Sequence, residues 1–247
     1  MKLCNGPALL FFIIVLSGVL SCKKKNGPAA FSDLKIATVD YAHAGEIEHY
    51  RVVYDGYNNV DSIVRTGGGT AVGNNGIKKF IYFGSSFSIT DEIGYSFKVY
   101  ANTNGLIIKV LIPDTLVMSY KGLQLDELDY KLAKSTPPYY TISSVYYTWS
   151  GGDVTYIGPA GSGGSSYYYD LSKSGQAGDI FRVGDFLSFG RSYVRTTHLP
   201  KGMITATDTV EKYYYQFESS TGRISQMLKV NTAAGFDDSF TYNYRYY

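Results

Sequence analysis

The sequence ends in a run of aromatic residues that alternate with polar ones, and this pattern limits the folds open to the chain. The aromatic residues share one parity: Phe240, Tyr242, Tyr244 and Tyr246. A period of two is the signature of a β-strand. Residues 211–230 hold two further strand-like segments around Gly222, which permits the positive φ of a turn. The C-terminal stretch therefore predicts two hairpins in series.

Looser copies of this unit recur upstream, over residues 50–65, 95–112 and 145–157. Each copy combines an aromatic-rich strand, a turn of Gly, Asn or Asp, and a β-branched strand. Their irregular spacing argues against a solenoid. Tyrosine supplies 25 of the 247 residues, which favours strands. We therefore predict an all-β fold: an antiparallel β-meander of successive hairpins, with aromatic cross-strand pairs holding the register.

The meander is expected to form a strongly twisted sheet or a half-open barrel, with at most one or two short helices. Residues 123–134 fit both a helix and a strand, and 185–189 could form one helical turn between two glycines. A membrane-spanning barrel needs a continuous lipid-facing apolar band. Charged residues interrupt that pattern here: Arg51, Lys98, Lys109 and Glu218. The charges favour a water-facing sheet that does not span the membrane.

The N-terminus has the features of an export signal. Residues 1–21 combine a charged start with a short apolar segment, too short to span a bilayer comfortably. The sequence from Val19 to Cys22 matches the lipobox of bacterial lipoproteins. By that resemblance Cys22 becomes the lipidated N-terminus and membrane lipid is the partner. The alternatives are an ordinary signal peptide and an uncleaved N-terminal anchor.

The predicted domain organisation is a signal peptide over 1–21, a lipidated Cys22 with a tether over 22–32, and a single β domain over 33–247. A domain boundary near residue 136, beside Pro137 and Pro138, is the alternative. Cys4 would leave with the signal and Cys22 would be lipidated, so no thiol remains for a disulfide, nucleophile or metal. We expect a monomer or a weakly associated protein.

The sequence lacks the features that are typical of several functional classes. A formal net charge of +2 argues against a nucleic-acid partner. The Gly-rich loops lack the lysine and helix of a P-loop, and no Gly-x-Ser-x-Gly motif is present. The three histidines are His43, His49 and His198, and their spacing favours structural roles over a zinc site. We predict no catalytic residue, no metal and no cofactor.

One aromatic cluster is a candidate ligand site. Trp149 is the only tryptophan, it follows Tyr146 and Tyr147, and Gly151 and Gly152 come next. The cluster should lie near the end of a hairpin. Aromatic rings at strand ends either stack on sugars or fill the core, and core packing is the safer interpretation. These three residues are the predicted ligand-binding set, with a glycan as the candidate ligand.

Two motifs resemble a known group of proteins. The segment around Cys22-Lys23-Lys24 resembles lipoproteins of the Bacteroidota, and YYYQFESSTGRISQMLKV resembles the unit of YD-type repeats. Together with GDIFRVGDFLSFGRSYVRTTHLPKGM, that unit is similar to a family of uncharacterised lipoproteins of this phylum. The resemblance covers 139–247 best. It implies a β-meander that curls into an incomplete, porin-like barrel, and it brings no catalytic residues.

The resulting hypothesis is a lipid-anchored envelope protein that acts as a non-enzymatic binding or structural module. A glycan-binding lipoprotein is the alternative. A glycosidase would require two inward carboxylates facing each other in a cleft. The basic run Lys23 to Lys25 differs from the acidic run that marks surface export in this phylum. It therefore favours the periplasmic face of the outer membrane over the cell surface.

Overall fold

The structure is a computed structural model that describes residues 35–67, 75–111, 115–131, 141–160, 163–205, 210–232 and 239–247. Within these residues the chain forms sixteen strands and one helix. The first eight strands are β1 Ile36–His43, β2 Glu46–Tyr54, β3 Val60–Thr66, β4 Asn75–Phe83, β5 Ser86–Thr90, β6 Ser96–Ala101, β7 Ile107–Leu111 and β8 Thr115–Lys121. The others are β9 Gln124–Lys131, β10 Thr141–Ser150, β11 Asp153–Gly158, β12 Ser165–Ser174, β13 His198–Thr205, β14 Val210–Phe217, β15 Ile224–Asn231 and β16 Ser239–Tyr246. Helix α1, Ile180–Phe189, lies between β12 and β13.

The strands form a closed barrel. Each strand pairs antiparallel with its neighbour in sequence, and β1 pairs with β16 to complete the ring. That closing register runs from Ile36 opposite Tyr246 to His43 opposite Phe240. The predicted all-β antiparallel meander with a short helix is confirmed. The predicted half-open barrel is wrong, because the first and last strands pair along nearly their whole length.

Charged residues do not prevent closure, because the barrel turns its apolar side inward. Arg51 lies opposite Thr38 on β1, and Lys98 lies opposite Ser88 on β5. Arg51 and Lys98 are exposed, whereas the residues that follow them in their strands, Val52 and Val99, are buried. These two charges therefore lie on the outer wall, where they do not oppose closure of the barrel.

The two ambiguous segments of the sequence have different outcomes. Residues 124–131 form strand β9, which pairs with β8 and β10. The local sequence fits a helix and a strand equally well, and pairing with the neighbouring strands stabilises the strand. The helical turn expected at 185–189 belongs to a longer helix that begins at Ile180. Its start is fixed by Asp179, whose side chain accepts hydrogen bonds from the N–H groups of Phe181 and Arg182. Gly190 ends the helix in the left-handed conformation.

The segment that contains α1 lies inside the barrel, and we call residues 175–197 the plug. Leu187 accepts a hydrogen bond from Lys78 of β4 at 2.8 Å, and Phe181 packs against Tyr167 of β12 at a centroid distance of 5.0 Å. Strands β4 and β12 are eight positions apart in the ring of sixteen, on opposite walls. Only a segment in the interior can contact both.

The hydrophobic core is therefore formed by the inner wall and the plug together. Val183 and Phe186 of α1 are 1% exposed. They belong to the same buried cluster as inward residues of the wall such as Val39, Phe87 and Met227. Burying this apolar surface is the main favourable term in folding. The plug thus completes the core that the wall alone would leave open.

Several sequence predictions lie outside the described residues. These are the signal peptide over 1–21, Cys22 with its tether over 22–32, the start of the domain at 33, and the alternative boundary near 136. No helix in the part of the chain that the structure describes is long and apolar enough to cross a membrane.

Candidate functional site

The barrel has two different ends, which we name by what lies there. The plug end carries the plug and the turns after β2, β6, β8 and β10. The loop end carries the turns after β1 and β5, because successive turns of an antiparallel meander alternate between the ends. The polar, charged and aromatic side chains that could form a site lie in two groups, one at each end of the barrel.

Arg191 fastens the plug to the wall at the plug end. Its guanidinium lies 5.5 Å from the ring centroid of Tyr82 and 5.3 Å from that of Phe87. It also donates to the carbonyl oxygen of Gly105 at 3.5 Å and to the side chain of Asn59 at 3.4 Å. A buried cation is stable only when aromatic faces and acceptors replace its water shell. Arg191 therefore holds the end of α1 against three hairpins at once.

The return of the plug to the wall is held by Asp153 at the start of β11. One of its carboxylate oxygens accepts from the backbone N–H of His198 at 2.8 Å, and the other contacts His198 Nδ1 at 2.6 Å. Beside it, the N–H of Thr197 donates to the carbonyl of Gly152 at 3.0 Å. These contacts fix the last residues of the plug to the turn between β10 and β11.

Two buried carboxyl groups of the plug have raised pKa values. Burial raises the pKa of Asp179 to about 6, although Arg182 and three backbone N–H groups favour its ionised form. Burial raises the pKa of Asp185 to about 7, against hydrogen bonds from Tyr193 and Val194 that lower it. Desolvation disfavours a charged carboxylate in an apolar surrounding. The plug therefore contains acids that gain protons near neutral pH.

A cavity of about 500 Å³ opens at the plug end. It is lined by Thr103, Asn104, Leu106, Leu123, Gln124, Gly152, Arg195 and Thr197. Three hairpin turns and the plug thus contribute to one concave surface, which we call the plug-end pocket. Its volume falls within the usual range for small-molecule sites. A smaller cavity of about 150 Å³ lies between β12, β13 and β14.

The predicted aromatic cluster lies beside this pocket but does not form one surface. Trp149 precedes the last residue of β10 and donates its indole N–H to the carbonyl of Leu125 at 2.6 Å. Tyr147 shares the inner face with Trp149, and burial raises its pKa. Tyr146 lies opposite Glu127 on the outer wall and is 39% exposed. The structure brings Trp149 and Tyr147 together and separates Tyr146 from them.

The interior of the loop end carries an aromatic set that the sequence prediction missed. Tyr41 and His43 of β1 pack against Phe240 and Tyr242 of β16. The rings of His43 and Phe240 stack at 4.2 Å with an interplanar angle of 7°. All four side chains are partly exposed. Their alternation was visible in the sequence, but the pairing of β1 with β16 was not.

Charged groups flank these rings. Arg65 bridges two carboxylates, with Nη1 at 3.2 Å from Glu48 and Nη2 at 2.5 Å from Glu92. On the other flank, Lys229 contacts Glu211 at 2.6 Å and lies 5.3 Å from the ring centroid of Phe240. Aromatic rings beside charged donors and acceptors form a surface on which a polar molecule with apolar faces can bind. We call these rings and their charged neighbours the loop-end surface.

The histidines do not converge. His43 faces inward, His49 contacts Asp40 on the outer wall at 2.8 Å, and His198 contacts Asp153 at the plug end. Within the described ranges, no group of three or more His, Cys, Asp or Glu residues is placed to hold a metal ion.

The fold defined by these observations is a closed, antiparallel barrel with an internal plug. It is similar to a porin-like protein from Bacteroides uniformis ATCC 8492, with a TM-score of 0.66 and 13% identity over 89% of this chain and 100% of that chain. A porin-like protein from Bacteroides vulgatus ATCC 8482 has a TM-score of 0.55 and 15% identity, over 87% and 99%. At such identities the likeness concerns the fold. No protein-family model matches the chain, and no curated protein matches it either.

Proposed function

We propose that this chain is a lipid-anchored protein of the cell envelope and a non-enzymatic binding or structural module that does not conduct. The observation that carries the proposal is the plug. Val183 and Phe186 are buried inside the barrel, and Arg191 fastens the plug to the wall. A pore needs an open interior, whereas the plug here packs into the buried cluster of the inner wall.

The outer wall supports the same proposal. Exposed charged side chains such as Arg51, Lys79 and Lys98 lie on it, beside exposed apolar side chains such as Ile77 and Ile81. Charges in a lipid-facing wall are destabilising near the middle of a bilayer. A water-facing barrel tethered through Cys22 accounts for both the charged wall and the lipobox. The absence of an acidic run after Cys22 favours the periplasmic face of the outer membrane.

Two measurements test this proposal. Radioactive palmitate should label the wild type but not Cys22→Ala, and label retained by the variant would contradict the anchor. The purified full-length protein, added to planar bilayers, should produce no conductance steps. Reproducible steps that vanish when a lumen residue is replaced would contradict the non-conducting barrel.

Glycan binding is the second candidate function, and the loop-end surface favours it. Rings of Tyr41, Phe240 and Tyr242 can stack on the apolar faces of sugars, while the carboxylates of Glu48 and Glu92 can accept from sugar hydroxyls. The predicted platform of Trp149, Tyr147 and Tyr146 stays a proposal, and its members lie on two faces of the wall.

The glycan proposal can be tested with an array of purified oligosaccharides and the full-length protein. Phe240→Ala should abolish any binding at the loop-end surface. Tyr214→Ala removes an exposed ring from the outer wall and is the matched control. Binding that survives Phe240→Ala but is lost in Tyr146→Ala would place the sugar on the outer wall instead.

A further inference from the structure

The plug-end pocket contains a set of groups that is suited to one class of ligand. Arg195 is the one charged residue among its lining residues. The side chains of Thr103, Asn104, Gln124 and Thr197 add hydroxyl and amide groups. Leu106, 3% exposed, and Leu123, 65% exposed, add apolar surface. The lining thus offers a cation, several neutral hydrogen-bonding groups and more apolar than polar surface.

The turns that form the pocket are held in place without a ligand. The side chain of Asn102 accepts from the N–H groups of Asn104 and Leu106, each at 3.0 Å. The Trp149 indole fixes the hairpin that carries Gln124 by its hydrogen bond to Leu125. Thr197 is bound to Gly152 through the backbone. A site with preformed walls loses little conformational entropy when it binds a ligand.

Close packing gives the pocket its shape at Gly152. This residue has a φ of +87°, and a Cβ there would lie 2.1 Å from Thr197 Oγ1. Glycine therefore lets the β10–β11 turn and the plug approach each other beneath the opening. The plug and the wall together form the site, and neither contains the full set of groups alone.

From this set we propose that the plug-end pocket binds a small hydroxylated carboxylate of the sugar-acid class. The guanidinium of Arg195 pairs with the carboxylate, since planar paired donors match a carboxylate in geometry and charge. A guanidinium has five N–H donors, so Arg195 serves a ligand in addition to the contact it makes within the chain. The amides and threonines bond to hydroxyl groups, and Leu106 and Leu123 cover the apolar face of the ligand.

This site is independent of the anchor, the absence of conductance and the loop-end surface. It can therefore fail while the proposed function stands, and the reverse also holds.

The test is isothermal titration calorimetry of the full-length protein in detergent with glucuronate and with glucose. These probes differ in that a carboxylate replaces a hydroxymethyl group. Glucuronate should bind saturably, and glucose at least tenfold more weakly, because a hydrogen bond to a charged group is stronger than a neutral one. Arg195→Gln should remove this preference, whereas Arg51→Gln, on the outer wall, should leave it unchanged.

The wild-type comparison decides the question even if Arg195→Gln fails to fold. Equal affinities for the two probes, or no saturable heat with glucuronate, would overturn the proposal. A folded Arg195→Gln protein that keeps its preference for glucuronate would also overturn it. Gln124→Leu, in an adjacent turn, is the second variant: it should weaken glucuronate binding, and unchanged binding would contradict the proposed hydroxyl contacts.

Discussion

The indole N–H of Trp149 donates to the backbone carbonyl of Leu125 at 2.6 Å, so the only tryptophan ties strand β10 to the hairpin between β8 and β9. The ring lies on the inner face of the barrel and packs against the buried core. A hydrogen-bonded, half-buried indole is a structural element of the wall.

This placement predicts a particular fluorescence signal. The native protein should show blue-shifted tryptophan emission and weak quenching by acrylamide, because the ring packs against the core and its N–H is bonded to Leu125. Denaturant should shift the emission to the red. Native emission at the wavelength of a water-exposed indole would show that Trp149 does not face inward.

Replacing Arg191 should destabilise the fold strongly. Arg191→Ala removes its contacts with Tyr82 and Phe87 and leaves the Gly105 carbonyl without its partner. We expect the free energy of unfolding to fall by about 2–4 kcal/mol, from the lost cation–π contacts and the unsatisfied carbonyl. Urea denaturation measures this loss. The exposed Arg51→Ala should change it by less than about 0.5 kcal/mol, and equal effects in both variants would refute the role of Arg191.

Asp153 should be needed where the plug returns to the wall. Asp153→Ala removes two contacts with His198, one of them to its backbone N–H. The buried donor then lacks a partner, which costs about 1–3 kcal/mol of stability. Urea denaturation of this variant and of Asp61→Ala, at an exposed position of β3, provides the comparison. A loss no larger than that of Asp61→Ala would mean that this link contributes nothing.

The raised pKa of Asp185 predicts how stability depends on pH. An ordinary Asp ionises near 3.8, whereas Asp185 in the folded protein ionises near 7. Between these values the unfolded chain has released the proton and the folded chain retains it. The contribution of Asp185 to the free energy of unfolding is therefore greatest below pH 3.8. It falls as the pH rises towards about 7 and is constant above that.

The matched variant is Asp185→Asn, whose amide oxygen can still accept from the N–H of Tyr193. We expect the stability of the wild type relative to this variant to decrease from pH 4 to pH 7, as followed by thermal melting at each pH. A relative stability that rises over this interval would mean that the folded protein favours ionised Asp185.

Local pattern in the sequence was enough to predict the hairpins and the last strand. The parity of Phe240 to Tyr246 is that of β16, and the Gly-rich turns lie where strands end. Closure could not be predicted in this way, because β1 and β16 are separated by nearly the whole chain. Periodicity within a strand does not specify which distant edge will pair with it.

The separation of Tyr146 from Tyr147 and Trp149 follows from local alternation, because successive residues of a strand face opposite sides. Long-range pairing explains the two surfaces that the sequence did not predict. The plug-end pocket depends on how the turns at Asn104 and Gln124 meet Arg195 of the plug. The loop-end surface depends on the pairing of His43 with Phe240. Each is a product of long-range pairing.

The central claim is that the plug fills a closed barrel, and hydrogen–deuterium exchange of the full-length protein tests it most directly. The amide of Val183 in α1 donates to the Asp179 carbonyl at 3.0 Å. This amide and the others of α1 should exchange as slowly as the hydrogen-bonded amides of the barrel strands. Their exposure would require the barrel to open. Exchange of the α1 amides within seconds, while the strands stay protected, would place the helix outside the core and contradict the account.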